Sequence, residues 1–231
     1  MARPWTTLAT VDTLEGPLEL RRRGDSDYLI MIDGRVLMNS FSRTSEEQLS
    51  TLSLAPLGTI AAPRVLVGGL GMGFTLRAAL DVLPAAAAVT VAELNPVIVE
   101  WCQGELGPAT DHAVADRRVA VTIGDVAKVI AKARAGAYHA IILDLYEGPN
   151  HATQSINDPF YSTAALARTA AALAPGGVLG VWSEDADAPF AKRLAAAGFA
   201  VTTHKIGSGG RRHVVYVGRR ASAATSPAGR P

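Results

Sequence analysis

From residue 63 onward the sequence alternates short apolar runs with helical segments, and this alternation constrains the fold more than any other feature. Runs such as Val65-Leu66-Val67 and Ile141-Ile142-Leu143 are typical of strands that are buried on both faces. The alternation predicts an α/β fold with a mostly parallel sheet covered by helices. The last two strands have no helix between them, which predicts an antiparallel hairpin at the sheet edge. The predicted strands cover residues 64–67, 88–92, 119–123, 140–143, 177–182, 199–205 and 213–218, and the predicted helices cover 74–83, 96–105, 126–135, 158–173 and 188–197.

The N-terminal part follows a different pattern, in which alternating apolar residues are separated by turn signals. Asp33-Gly34 between two strand-like runs is a strong hairpin signal and predicts a small antiparallel sheet. The Thr-Ser-Glu-Glu sequence at 44–47 is typical of a helix start, and that helix would end near Leu54. The predicted organisation is a β-hairpin domain at 1–43, a linking helix at 44–62, a nucleotide-binding domain at 63–219 and a disordered tail at 220–231.

Composition excludes several classes of partner and site. The formal charge of +1 over 231 residues gives no reason to expect nucleic acid or an anionic membrane as a partner. The single cysteine, Cys102, forms no internal disulfide and is expected to be buried packing. No apolar run reaches the roughly 18 residues of a membrane span, and the N-terminus lacks the apolar region of a signal peptide. The five histidines have no metal-ligand spacing, so we expect no metal site. The single cysteine and the lack of a signal peptide or membrane span predict a cytoplasmic protein.

A glycine-rich loop, Gly68 to Gly73, follows the first parallel strand. Glycines let the backbone approach a ligand closely, and we take Gly69, Gly71 and Gly73 as cofactor-binding residues. Glu93 ends the second strand about 20 residues further on, where a ribose-binding acid belongs. The residues alone also allow a tight turn without a ligand, and a solvated strand-end acid at Glu93.

The spacing of this loop does not fit a dinucleotide. The pyrophosphate fingerprint G-x-G-x-x-G places Phe74 at its third glycine when it starts at Gly69, and Leu76 when it starts at Gly71. A nucleoside without a pyrophosphate therefore fits better. Asp125, directly after the third strand, is placed to accept from an adenine amino group. It is equally well placed to cap the helix that starts near Val126, and both roles are compatible.

The fourth strand ends in an acidic loop that carries Asp144, Tyr146 and Glu147. Two carboxylates at the ligand edge of a sheet can bind a cationic amine and take its proton, so we take these residues as catalytic candidates. The alternative is that the acids cap turns or face solvent. The polar stretch 150–157 that follows is long enough to form a lid over the site.

In combination, these motifs resemble the spermidine synthase (polyamine aminopropyltransferase) family, as a short, divergent bacterial member. The likeness covers roughly residues 14 to 218. The resemblance implies a Rossmann-like sheet of the S-adenosylmethionine-dependent methyltransferase type with a small N-terminal antiparallel β-domain. The matching motifs are Gly68–Gly73 with Thr75-Leu76-Arg77, Glu93-Leu94-Asn95-Pro96-Val97-Ile98, Gly124-Asp125, the acidic loop from Asp144 to Pro149, Asp158-Pro159-Phe160-Tyr161, Pro175–Leu179, the hairpin at 32–38 and the helix with Glu47.

The resemblance implies an enzyme of polyamine biosynthesis, a cytoplasmic homodimer that uses decarboxylated S-adenosylmethionine or S-adenosylmethionine as co-substrate. It would transfer an aminopropyl group to a small-molecule amine. Asp144 would deprotonate and orient the amine, and Glu147 would hold its positive charge. Glu93 would bind the ribose and Asp125 the adenine.

Three positions depart from the family pattern. Met72 stands where the family has an Asp that contacts the donor's amine, Thr51 stands in place of a His, and Glu147 replaces a second Asp. Two alternatives therefore stay open. One is a methyltransferase that uses S-adenosylmethionine itself, and the other is a non-catalytic homologue that only binds the nucleotide.

Overall fold

The computed structural model describes residues 3–13, 15–149, 158–207 and 212–222. The predicted lid at 150–157 lies outside the described residues, as do residues 223–231 of the predicted tail. Within the described part, the strands form a four-stranded and a seven-stranded sheet. No helix there is long and apolar enough to cross a membrane.

The four-stranded sheet is antiparallel, with its strands in chain order. Asp33 and Gly34 both have positive φ, 46° and 74°, as the tight hairpin turn between its last two strands requires. Alternate residues such as Leu18, Leu20 and Ile30 are buried against the rest of the protein. The predicted N-terminal antiparallel sheet is confirmed. Its strands are β1 (Thr6–Thr13), β2 (Gly16–Arg23), β3 (Asp27–Ile32) and β4 (Arg35–Asn39).

The seven-stranded sheet has the order β10-β11-β9-β8-β5-β6-β7. Strands β5 to β9 are parallel, and β11 runs antiparallel between β9 and β10. The predicted closing hairpin is confirmed, with β10 rather than the last strand at the edge. The fold class is confirmed as well. The strands are β5 (Arg64–Gly68), β6 (Ala88–Glu93), β7 (Val119–Ile123), β8 (Tyr138–Leu143), β9 (Leu173–Ser183), β10 (Phe199–Ile206) and β11 (His213–Arg220).

Helices cover both faces of this sheet. One apolar cluster joins the first face to the N-terminal sheet, and a second cluster lies under the opposite face. The fifth helix begins later than its apolar pattern predicts, because the Asp158 carboxylate accepts backbone N–H groups in a turn and Ser162 then caps the helix at Ala165. The helices are α1 (Thr44–Leu54), α2 (Phe74–Val82), α3 (Pro96–Gln103), α4 (Val126–Lys132), α5 (Thr163–Ala172) and α6 (Ala188–Ala196).

The strand order reverses at β5, which has β6 on one side and β8 on the other. In open α/β sheets, ligands bind in the crevice at the carboxyl ends of the strands at such a point. Here the N-terminal sheet and α1 pack beside that crevice. The division into domains after residues 43, 62 and 219 stays a prediction.

Candidate active site

A cleft of about 1160 Å³ lies between the carboxyl ends of the central strands and the N-terminal sheet. The loops after β5, β6, β7 and β8 form one side, and β4 and the start of α1 form the other. All the predicted site residues except Gly73 line it. Those residues are Gly69, Gly71, Glu93, Asp125, Asp144, Tyr146 and Glu147.

The glycine loop owes its path to two close approaches. Gly69 has φ +85°, and a Cβ there would lie 2.2 Å from the carbonyl oxygen of Asp144. Gly71 has φ +52°, and a Cβ there would lie 2.9 Å from the Met38 Sδ. Gly69 therefore requires glycine for conformation and for space, whereas Gly71 favours glycine for its conformation, since the end of the Met38 side chain can shift. Gly73, with φ +87°, is the N-cap of α2 and does not line the cleft.

Glu93 is 6% exposed and ties the end of β6 to the glycine loop. Its Oε2 accepts from the Leu70 N–H at 2.8 Å, and its Oε1 accepts from the Asn95 N–H at 2.8 Å. Burial raises the pKa of this carboxyl, and the backbone N–H groups oppose that rise. The alternative of a solvated strand-end acid is therefore wrong. Glu93 also lines the cleft.

Asp125 caps α4. Its Oδ1 accepts from the Ala127 N–H at 2.8 Å, and the same side chain lines the cleft. The capping alternative is confirmed, whereas the contact with adenine stays a prediction. An N-cap carboxylate with a second oxygen turned to a cleft is compatible with both.

Asp144 lies directly after β8, beside the glycine loop. Its N–H donates to the Gly68 carbonyl at 2.9 Å, and its Oδ2 accepts from the Thr75 hydroxyl at 2.5 Å. Burial raises the pKa of Asp144 to about 7, the charge of Glu46 adds to that rise, and the Thr75 hydrogen bond opposes it. This carboxyl therefore changes charge near neutral pH, as a general base at that pH requires.

Tyr146 and Glu147 lie further out in the same loop. Tyr146 is 47% exposed, and the Arg35 guanidinium carbon lies 5.8 Å from its ring centroid. Glu147 has φ +62°, and its carbonyl accepts from the Glu184 N–H at 3.4 Å. Tyr146 therefore lies at the exposed edge of the cleft, and Glu147 lines the same cleft.

Glu46 is a cleft residue that the sequence prediction missed. It lies in the first turn of α1, is 7% exposed, and lines the cleft, and its Oε2 accepts from the Ser45 hydroxyl at 2.7 Å. Glu47, the residue that carried the resemblance, instead pairs with Arg43 at 3.0 Å on an exposed face. Two adjacent acids in a helix start cannot be told apart by pattern until the packed face is known.

Of the three positions that depart from the family pattern, Glu147 lines the cleft, whereas Met72 and Thr51 do not. Met72 is fully buried in the apolar cluster, and Thr51 donates its hydroxyl to the Glu47 carbonyl within α1. Cys102 is buried, as predicted, with its Sγ 3.3 Å from the Gly71 carbonyl, and burial raises the pKa of its thiol to about 12. No group of three or more potential metal ligands occurs among the described residues.

Comparisons with known proteins connect this geometry to polyamine enzymes. No family model matches the chain. It is 34% identical over 125 residues to putrescine N-methyltransferase 3 of Nicotiana tabacum, covering 54% of the chain and 31% of that protein. It is 30% identical over 152 residues to spermine synthase of Arabidopsis thaliana, covering 65% and 40%. It is 28% identical over 196 residues to polyamine aminopropyltransferase of Mycobacterium tuberculosis, covering 80% and 35%. The chain thus spans well under half the length of these relatives.

Solved structures agree with the fold. A spermidine synthase in complex with the transition-state analogue AdoDATO superposes with a TM-score of 0.74, at 16% identity, over 94% of this chain and 73% of that one. The chain has the spermidine synthase fold. The spermidine synthase from Thermotoga maritima gives a TM-score of 0.72 at 16% identity, over 94% of this chain and 74% of that one. The resemblance to the spermidine synthase family, drawn from the motifs, is confirmed.

Proposed function

We propose that the chain transfers an aminopropyl group from an adenosyl sulfonium donor, such as decarboxylated S-adenosylmethionine, to a small-molecule amine. The observation that carries the proposal is the position of Asp144. Its carboxylate shares one cleft with Glu93 and the glycine loop, and its pKa is raised to about 7. The similarity to a spermine synthase and a polyamine aminopropyltransferase supports the same activity.

The nucleoside would lie over the glycine loop. The Glu93 carboxylate would accept from the ribose hydroxyls and the free oxygen of Asp125 from the adenine amino group. Gly69 and Gly71 line the cleft, so backbone without a side chain borders it at these two positions. Because Glu93 is already oriented by two backbone N–H groups, it loses little conformational freedom when it binds.

The remainder of the cleft favours a cation. Among the described residues that line it, seven carry a carboxylate and one, Arg35, carries a guanidinium. An ammonium group is attracted to such a surface, whereas a second anion is repelled. The carboxylates belong to Glu15, Glu46, Glu93, Asp125, Asp144, Glu147 and Glu184.

The proposed transfer step needs one base to take the proton of the acceptor nitrogen. The acceptor nitrogen gives a proton to the Asp144 carboxylate, and its lone pair attacks the carbon next to the sulfonium. The carbon–sulfur bond breaks, and its electrons neutralise the sulfur, so the leaving group is a neutral thioether. The protein contributes alignment of nitrogen and carbon, together with proton removal. A sulfonium leaves without help from a Lewis acid, so the proposed step uses no metal.

We propose further that the protein acts in polyamine biosynthesis as a cytoplasmic homodimer. Exposed apolar side chains on the first strand of the N-terminal sheet, Leu8 and Val11, support a contact between two copies. Light scattering of the purified chain is expected to give the mass of a dimer, and a monomer at all concentrations would contradict this part of the proposal.

A second candidate is methyl transfer from S-adenosylmethionine on the same scaffold, which the 34% identity to a putrescine N-methyltransferase supports. Calorimetry with both donors, followed by mass spectrometry of products from a panel of amines, separates the two. Tighter binding of the decarboxylated donor and an aminopropylated amine are expected. Preference for the carboxylated donor with a methylated amine would favour the second candidate. Binding of donor without any product would favour a non-catalytic homologue.

A further inference from the structure

Two acidic side chains from distant parts of the sequence line the same cleft, and the charge of one acts on the other. Glu46 comes from the first turn of α1, and Asp144 comes from the loop after β8. They are brought together because α1 packs against β8, β9 and β11. Both line the cleft, and Glu46 is 93% buried, from an exposure of 7%.

Few groups compensate the two charges. The Ser45 and Thr75 hydroxyls each donate one hydrogen bond, to Glu46 and to Asp144 respectively. The imidazole of His213, at the start of β11, favours the charged form of Glu46, while Glu47 on the same helix disfavours it. Burial raises the pKa of Glu46, and burial together with the Glu46 charge raises that of Asp144. Two carboxylates in this position resist simultaneous ionisation, so near neutral pH the pair retains a proton.

We propose that Glu46 and Asp144 together bind the ammonium group of the acceptor, which takes the place of the proton retained by the pair, and that Glu46 determines acceptor affinity. The proposal rests on the proposed function, because it names the acceptor site of the same reaction. The displaced proton goes to solvent. Asp144 is then ionised beside the bound ammonium, and it later accepts that group's own proton as the nitrogen attacks.

The wall next to the pair suits the rest of an aliphatic amine. The Trp182 ring lies beside the His213 ring, with centroids 5.0 Å apart, and both residues line the cleft. The Trp182 Nε1 and the His213 Nδ1 are buried without a hydrogen-bond partner among the described residues. Methylene groups would pack on the indole face, whereas the indole N–H, which only donates, gains no partner from an ammonium group. This wall therefore supports a small aliphatic amine as the ligand of the pair.

Isothermal titration calorimetry tests the pair without any turnover. Putrescine is titrated into the protein saturated with 5′-methylthioadenosine at pH 7, in buffers with different ionisation enthalpies. The wild-type protein is expected to release protons on binding. Glu46→Gln is expected to bind putrescine at least tenfold more weakly and to release fewer protons, because Asp144 is already ionised without the neighbouring charge.

Two further variants separate a binding role from a structural one. Glu47→Gln changes the adjacent acid, which does not line the cleft and has the smallest influence on Glu46, so it is expected to change affinity and proton release far less than Glu46→Gln does. Glu46→Asp keeps a carboxylate and is expected to restore part of the proton release. In Glu46→Gln, the acid limb of the kcat/KM profile is expected to move to lower pH by about one unit. In every variant, wild-type 5′-methylthioadenosine affinity and a cooperative thermal unfolding transition show that the fold and the rest of the cleft are intact.

The outcomes are distinct. Wild-type affinity and wild-type proton release in Glu46→Gln would overturn the proposal, as would a wild-type protein that binds no amine. Failure of the proposed function is a different result, namely amine and nucleoside binding without a transfer product. Since affinity and proton release are measured without turnover, the assignment of the pair is decided in either case.

Discussion

The two ends of the cleft are built in opposite ways. At the glycine loop, the Glu93 carboxylate is satisfied by neutral backbone donors, the N–H groups of Leu70 and Asn95. At the inner end, Asp144 and Glu46 each accept from one hydroxyl and raise each other's cost of ionisation. The Glu93 carboxylate is held in place without a ligand, whereas a cation beside Asp144 and Glu46 would lower the cost of ionising them. The comparison teaches that one cleft holds a carboxylate already satisfied by backbone donors and a pair of carboxyls that a cation would stabilise, which are suited to the proposed nucleoside and the proposed amine respectively.

The largest expected effect comes from removing the charge at the inner end. Asp144→Asn keeps an acceptor for the Thr75 hydroxyl and loses the base, so the transfer rate is expected to fall by about 10²- to 10⁴-fold. The affinity for 5′-methylthioadenosine is expected to stay within about twofold, because the nucleoside end is unchanged. Steady-state kinetics and calorimetry measure the two. An unchanged rate would show that Asp144 is not the base.

The next largest effect is expected from changing Glu93 beside the glycine loop. In Glu93→Gln, the amide NH₂ would face a backbone N–H that the carboxylate now satisfies, so the loop loses one of its two hydrogen bonds. We expect nucleoside affinity to fall about tenfold to 100-fold, consistent with the loss of a hydrogen bond to a charged group. Glu100→Gln, an exposed acid on α3, serves as the control. Equal affinity in both variants would remove Glu93 from the nucleoside site.

A third effect concerns pH and belongs to the inner end alone. Because the pKa of Asp144 is about 7, kcat/KM is expected to rise about tenfold per pH unit below 7 and to level off above it. Nucleoside affinity is expected to change little over the same range. A rate that is independent of pH between 5 and 8 would contradict this assignment.

The same pKa predicts a stability effect with a definite sign. The folded pKa of Asp144, about 7, lies above the usual 3.8, so the folded state holds this proton more tightly. The cost of ionisation in the folded state therefore appears as pH rises from about 4 to about 7. Asp144→Asn removes that cost, and we expect its Tm to exceed the wild-type value at pH 8 by roughly 10 °C and to match it at pH 4. Equal values at both pH values would contradict the raised pKa.

The smallest effect separates the two roles of Asp125. Serine caps helices about as well as aspartate, so Asp125→Ser is expected to leave the Tm within about 1 °C. If the second oxygen also accepts from adenine, nucleoside affinity falls a few-fold, which calorimetry would detect. Unchanged affinity would leave Asp125 with the cap of α4 alone.

The nucleoside end was largely predictable from sequence. Gly69 and Glu93 directly follow consecutive parallel strands, and the carboxyl ends of such strands meet at one edge of the sheet. Their proximity follows once the strands are recognised. Asp144 was predictable for the same reason, since β8 neighbours β5.

The inner end was predictable only in part. The helix at 44–54 was predicted, yet the pattern gave equal weight to the two acids of its first turn, and the resemblance favoured Glu47. Which acid enters the cleft depends on how α1 rotates against α2 and β9, and long-range packing determines that rotation. Trp182 and His213 were likewise missed, because their pairing depends on β11 lying next to β9.

By itself, the sequence determined the elements and the residues that end each strand, because periodicity, glycine and capping act over a few neighbouring positions. It thereby determined the glycine loop and the position of Asp144. Only the tertiary structure decided that Glu46 stands beside Asp144, that Met72 is buried in the core, and that the pKa of Asp144 is raised to about 7. These properties depend on desolvation and on charges about 100 residues apart in the chain, which act only after the helices and sheets have packed.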